Sequence, residues 1–142
     1  SVRALSRPRR PLPPLGATGV VLAMGLVTRL PPALLCRVLE TAGRRRADGS
    51  GPDEKAVARA QRAVAAAERI RPQSCLTRSA ARYVLLRRAG YAVELVFGIG
   101  PHQGAYAGHC WLELDGRPFL EHVDPRPVFP QILRVPARPA VA

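Results

Sequence analysis

Ser74-Cys75-Leu76-Thr77-Arg78-Ser79-Ala80-Ala81-Arg82-Tyr83-Val84-Leu85-Leu86-Arg87-Arg88-Ala89-Gly90 decides the fold, because this stretch carries its own helix boundaries. Ser74 is a strong N-cap, Gly90 suits the left-handed residue after a helix, and Arg87 and Arg88 put cations at the negative end of the dipole. Leu76, Ala80, Tyr83 and Val84 form the expected inward face. Cys75 then stands in the first turn, beside the unpaired N–H groups and positive dipole end that favour a thiolate. The competing reading is a small buried hydrophobe, a common fate of free cysteines.

Upstream, three more helices are predicted. Val20, Val21, Leu22, Met24, Leu26 and Val27 supply the apolar content of a helix over Leu15 to Leu30, which Pro31-Pro32 ends. Pro32 suits the first position of a second helix, through Leu34, Leu35, Val38 and Leu39 to about Gly43, with Cys36 as a packing residue. After the polar, turn-rich loop Arg44 to Pro52, Asp53 caps a third helix. There Val57, Ala60, Val64, Ala67 and Ile70 recur on one face, and Arg71-Pro72 stops it. The first fourteen residues, Arg- and Pro-rich, read as a basic tail.

Downstream the period changes to two. Tyr91, Val93, Leu95, Phe97 and Ile99 alternate as in a half-buried strand, and Gly100 to Gly108 reads as a loop. His109 to Leu114 alternates again, Asp115-Gly116 is a hairpin signal, and Arg117 to Val123 returns. Val128, Phe129, Ile132, Leu133 and Val135 are candidates for an edge strand. Helices over 15–89 followed by a sheet over 91–135 give one α+β domain, 15–142, whose sheet packs on the cysteine helix.

Of the 142 residues, 22 are Lys or Arg and 10 are Asp or Glu, a net charge of +12. Such a charge favours polyanionic partners. Here a single lysine, abundant Ala and Pro, and aromatics not interleaved with the basic residues point away from nucleic acid. No apolar run is long enough to span a membrane, and the stretch Leu15 to Leu26 lacks a convincing cleavage site, so a cytoplasmic chain without membrane insertion is expected. Cys36, Cys75 and Cys110 are odd in number and lack metal-ligand spacing. Neither a disulfide framework nor a metal or other cofactor is expected.

A cysteine at a helix N-terminus and a histidine on a rigid strand can make a thiolate–imidazolium pair. His102 lies in the glycine-rich loop, whereas His109 begins a strand, so His109 is the better base. Asp115, six residues on, is roughly 20 Å away along an extended strand and cannot orient the imidazole. Glu113 shares the face of His109 but sits about 13 Å off. The returning strand must supply the acid. A three-residue bulged hairpin puts Glu121 on the face of His109, while a two-residue turn puts Asp124 there and Glu121 on the other. Glu121 is the expected acid and Asp124 the alternative.

Cys75-Leu76-x-Arg78-Ser79-x-Ala81-x-x-x-Leu85-Leu86-Arg87-Arg88-x-Gly90, then a strand, then Gly108-His109-x-Trp111-x-Glu113-x-Asp115-Gly116, resembles the transglutaminase-like leader peptidases of lasso peptide biosynthesis. The matched region runs from Gln73 to about Glu121. The resemblance implies a papain/transglutaminase-like fold with Cys75 as nucleophile and His109 as base. It further implies removal of the leader from a ribosomally made precursor peptide before a separate ATP-dependent cyclase closes the macrolactam. The residues before Leu15 are too few to form a fused recognition domain, so a separate leader-recognition protein is expected as a partner. Two positions depart from the family: Cys110 stands where Ala is usual, and Glu121 where the acid is commonly Asp. Strand alternation turns Cys110 away from the face of His109. Arg78 either binds substrate carbonyls or braces its helix, and Trp111 either packs in the core or walls the cleft. Two other readings compete: an amidotransferase or transglutaminase that passes the same thioester to an amine, and a non-catalytic basic binding module.

Overall fold

The computed structural model describes residues 14–44 and 52–136. The predicted tail before residue 14, the arginine-rich loop over 45–51 and the residues after 136 lie outside the described residues. Helices α1 (Pro14–Val27), α2 (Pro32–Ala42), α3 (Lys55–Ile70) and α4 (Cys75–Arg88) come first. Strands β1 (Glu94–His102), β2 (Ala105–Leu114), β3 (Arg117–Phe119) and β4 (Gln131–Val135) follow.

The helix boundaries lie where capping chemistry puts them. Pro32 opens α2. Asp53 precedes α3, its Oδ1 accepting the Lys55 N–H at 3.0 Å and its carboxylate pairing with Arg59. Ser74 caps α4 by accepting the Thr77 N–H at 3.1 Å. At the other end Gly90 has φ 100, and Tyr91 and Gly90 donate to the carbonyls of Leu86 and Arg87, the double bond of a Schellman stop. α1 is shorter than expected. Arg29 and Leu30 donate three residues back, to Leu26 and Val27, and this tightened turn leads into Pro31. Ile70, predicted to face inward, is exposed in the last turn of α3, where the chain goes extended at Arg71.

The sheet has the order β3-β2-β1-β4 with antiparallel neighbours throughout. Two predictions are corrected here. Gly100 to Gly108 is strand, not loop, because Gln103 and Gly104, with φ 50 and 80, turn the chain in two residues and β1 and β2 stay paired to His102 and Ala105. β1 starts at Glu94 rather than Tyr91, since the Tyr91 N–H is used by the helix stop. Leu95, Cys110, Leu112 and Val135 face the helices and join Val21, Leu39, Val64, Tyr83 and Leu86 in one core. The other face of β2 presents His109, Trp111 and Glu113.

A crossing segment, 120–130, links β3 to β4 and packs on the outer face of the sheet. Val128 and Phe129, expected in an edge strand, instead lie in a turn whose N–H groups both donate to Pro125 O. Gly98 and Gly100 permit this, because a Cβ at either would overlap the Val128 or Phe129 carbonyl. Among the described residues no helix is long and apolar enough to cross a membrane.

Candidate active site

The first turn of α4 is held from three directions. Thr77, almost fully buried, bonds through its hydroxyl to Ser74 Oγ at 2.9 Å and to Thr28 Oγ1 at 3.2 Å, and Thr28 donates to Gly25 O at 3.4 Å. These hydroxyls tie the turn that bears half-buried Cys75 to the end of α1. One turn on, buried Ser79 donates to Cys110 O at 3.0 Å, fixing α4 on β2 next to His109. Arg78 makes a partly exposed ion pair with Glu68 at 2.7 Å, which braces α4 against α3.

His109 packs against two rings. Trp111 stacks on it with centroids 5.9 Å apart and planes 19° off parallel, and Phe129 approaches from the crossing segment at 5.1 Å and 33°. The imidazole Nε2 meets Glu121 Oε2 at 3.5 Å. Phe129 is the contact that sequence reasoning missed; the only signal was the pair of glycines, Gly98 and Gly100, on the strand it crosses.

The Glu121 contact is reached by an unforeseen route. Asp115 and Gly116, with φ 52 and 77, make a two-residue turn, and the register is Leu112↔Phe119 and Leu114↔Arg117. The bulged hairpin is therefore corrected, and a continued strand would have sent Glu121 to the face of Cys110. Instead β3 ends at Phe119 and Leu120 takes φ 63, so Phe119 and Leu120 both pack on the core and Glu121 swings to the imidazole. Asp124, the alternative acid, is exposed and held by Arg126, whose guanidinium keeps its carboxyl below the usual range.

Trp111 is 1% exposed, so it supports the imidazole from behind rather than meeting solvent; its Nε1 donates to Glu113 Oε1 at 3.2 Å. Cys110 points away from His109 but toward α4. Burial pushes its thiol pKa far up, and charges on Cys75 and Glu121 add to the shift. Arg82, two turns along α4 from Cys75, feels Glu121 as well: burial and then Arg78 lower its guanidinium pKa, while Glu121 and Glu68 oppose. Glu121 thus lies within the field of α4. Among the described residues no hydrogen bond joins Cys75 to His109; catalytic bonds are often long before substrate binds.

Among the described residues, four helices with the cysteine at the N-terminus of the last, and a sheet histidine met by a glutamate from the segment after β3, agree with a comparison of sequence families: residues 20–134 match the transglutaminase-like superfamily. The chain belongs to the transglutaminase-like superfamily. Its order of helices and antiparallel sheet is the α+β arrangement of that superfamily, whose members are generally cysteine-peptidase-like enzymes. Comparisons with curated proteins and with solved structures give no match.

Proposed function

We propose that this chain is a cysteine peptidase that removes the leader from a ribosomally made lasso precursor peptide, with Cys75 as nucleophile, His109 as base and Glu121 as orienting acid. The observation that carries this reading is the approach of His109 Nε2 to Glu121 Oε2 at 3.5 Å, on the strand that α4 packs against through Ser79. A carboxylate on Nε2 sets the imidazole's orientation and leaves Nδ1 as the nitrogen for the thiol.

His109 takes the Cys75 proton, and the thiolate attacks the carbonyl at the leader–core junction. The Cys75 backbone N–H, at the helix N-terminus, is the donor to the oxyanion. Imidazolium then protonates the leaving amine, and water, giving its proton to His109, hydrolyses the thioester, releasing the leader with a new C-terminal carboxylate and restoring the Cys75 thiol. Arg78, tied to Glu68, and Trp111, buried against His109, shape the site rather than grip the peptide. A separate leader-recognition protein delivers the precursor, and the ATP-dependent cyclase receives the product.

Mass spectrometry of a lasso precursor incubated with the protein tests this, with and without a leader-recognition partner, for the wild type, Cys75→Ala and Glu121→Ala. A single cut between leader and core that requires Cys75 supports the reading. An adduct with added hydroxylamine in place of any cut would assign amine transfer, and no reaction from a folded wild type with its partner present would overturn the peptidase.

A further inference from the structure

A buried polar chain leads away from His109 along the outer face of the sheet. Trp111 Nε1 donates to Glu113 Oε1 at 3.2 Å, and Glu113 Oε2 accepts from Arg134 Nη2 at 2.8 Å. Arg134 Nη1 lies 3.2 Å from Glu94 Oε2. Glu113 is 3% exposed, and a carboxylate buried to that degree needs partners for both oxygens. The β1–β2 register sets Glu94 directly opposite Glu113, a like-charge pair that opposes strand pairing. Arg134, from β4 on the far side of β1, bridges the two carboxylates. One cation would be enough to offset that repulsion. The indole bond is a separate matter, because Glu113 gives one oxygen to Arg134 and turns the other toward the ring that stacks on His109.

We infer that Glu113 is a positioning residue for His109, acting through Trp111, with Arg134 as the counter-ion that holds it. The inference rests on the reading of His109 as the base. An indole stacked on imidazole can slide or rotate unless its N–H is anchored, and the Glu113 acceptor fixes it. The His109 plane is then set by its contacts with Trp111 and Phe129, and Nε2 is kept on Glu121. His109, Trp111 and Glu113 are spaced two apart on one strand, so a single rigid backbone carries the base, its stacking partner and the anchor.

Trp111 is the only tryptophan in the chain, so its emission reports directly on the ring that touches His109. Protonating the imidazole against the indole face changes that emission, and its pH midpoint follows His109 without any substrate. Ionisable groups on the elements around His109 include Glu121 and His122 after β3, Cys75 and Arg82 of α4, His102 of β1, Glu113 of β2 and Arg134 of β4. His109→Gln identifies the transition that belongs to the imidazole. The variants to compare are Glu113→Gln, which keeps an oxygen for the indole, and Glu113→Leu with Arg134→Leu, which removes the anchor together with the cation that holds it.

The double variant is expected to move the midpoint and to slow alkylation of Cys75 by iodoacetamide at neutral pH roughly tenfold. Cys36 in the same molecules is the internal control, and Glu113→Gln should recover most of the loss. A folded double variant with the wild-type midpoint and wild-type Cys75 rate would reduce Glu113 to a structural ion pair and overturn the inference. An unfolded double variant passes the decision to Glu113→Gln and Trp111→Phe, the second of which keeps a ring but removes the N–H. Slowed Cys75 alkylation in Trp111→Phe, with Glu113→Gln close to wild type, upholds the anchor; wild-type rates in Trp111→Phe sink it. No precursor cleavage by the wild type, with the emission transition intact, would strike the peptidase reading alone.

Discussion

The two faces of β2 do different work with neighbouring residues. Cys110 and Leu112 point to the helices and are buried among aliphatic side chains, whereas His109, Trp111 and Glu113 point outward and are joined by stacking and hydrogen bonds. The inner face is filled by shape, so its cost on mutation is paid in stability. The outer face is arranged by direction, and on the proposed reading of His109 as the base a change there alters where a proton goes. One strand with a period of two separates these tasks, so chemistry can be changed with little damage to the core.

The strongest contrast is between His109→Gln and Leu112→Ala. His109→Gln should lower Cys75-dependent cleavage by about a thousandfold with little change in thermal midpoint, as loss of a positioned base does. Leu112 is 2% exposed, and Leu112→Ala should cost about 2–5 kcal/mol in urea unfolding while the folded fraction keeps its specific activity. If Leu112→Ala lost activity without stability, or His109→Gln lost stability instead, the division between faces would be wrong.

A smaller effect tests which acid serves the outer face. Glu121→Ala is expected to reduce cleavage by roughly a hundredfold, and Asp124→Ala, which only frees Arg126, to leave it within about twofold. Reversed results would restore Asp124 as the acid.

The helices were legible because their ends are written in residues with special backbone chemistry: Pro32 has a fixed φ, the Ser74 hydroxyl accepts a first-turn N–H, and Gly90 takes the left-handed conformation that other residues avoid. Composition misled at Gly100 to Gly108, where Gly, Pro, His and Gln suggest a loop although Gln103-Gly104 needs only two residues to turn. Glu121 was the expected partner of His109, yet the hairpin assumed for it does not exist. Leu120 takes a left-handed conformation that apolar residues seldom adopt, and burial of Phe119 and Leu120 together is what favours it. No local pattern encodes that. Phe129 was illegible for a similar reason, since its place on His109 depends on how a segment crosses β1.

That crossing gives an intermediate prediction. Gly100→Ala puts a methyl against the Val128 carbonyl and pushes the segment outward, carrying Phe129 off the imidazole. Cleavage should fall roughly tenfold with stability lowered by about 1 kcal/mol, and Phe129→Ala should reproduce the loss of activity with little further effect in the double variant. Additive losses would show that Gly100 acts elsewhere.

The smallest effect belongs to the inner face and appears only at high pH. Burial holds the Cys110 thiol protonated far beyond the ordinary value of 9.0, while the unfolded chain ionises there. The folded state therefore binds more protons above that pH, so this group's contribution to stability is complete below about pH 9 and declines as pH rises further. Burial shifts Cys36 and Tyr83 in the same direction, so the wild type alone cannot isolate Cys110. Cys110→Ala can. Between pH 9 and pH 10 the wild type should lose about 1 kcal/mol more than the variant in urea unfolding, and iodoacetamide should label Cys75 at pH 9 while sparing Cys110. Equal pH slopes in the two proteins, or ready labelling of Cys110 in the native state, would mean that the inner face opens to solvent and is less separate from the outer one than its packing implies.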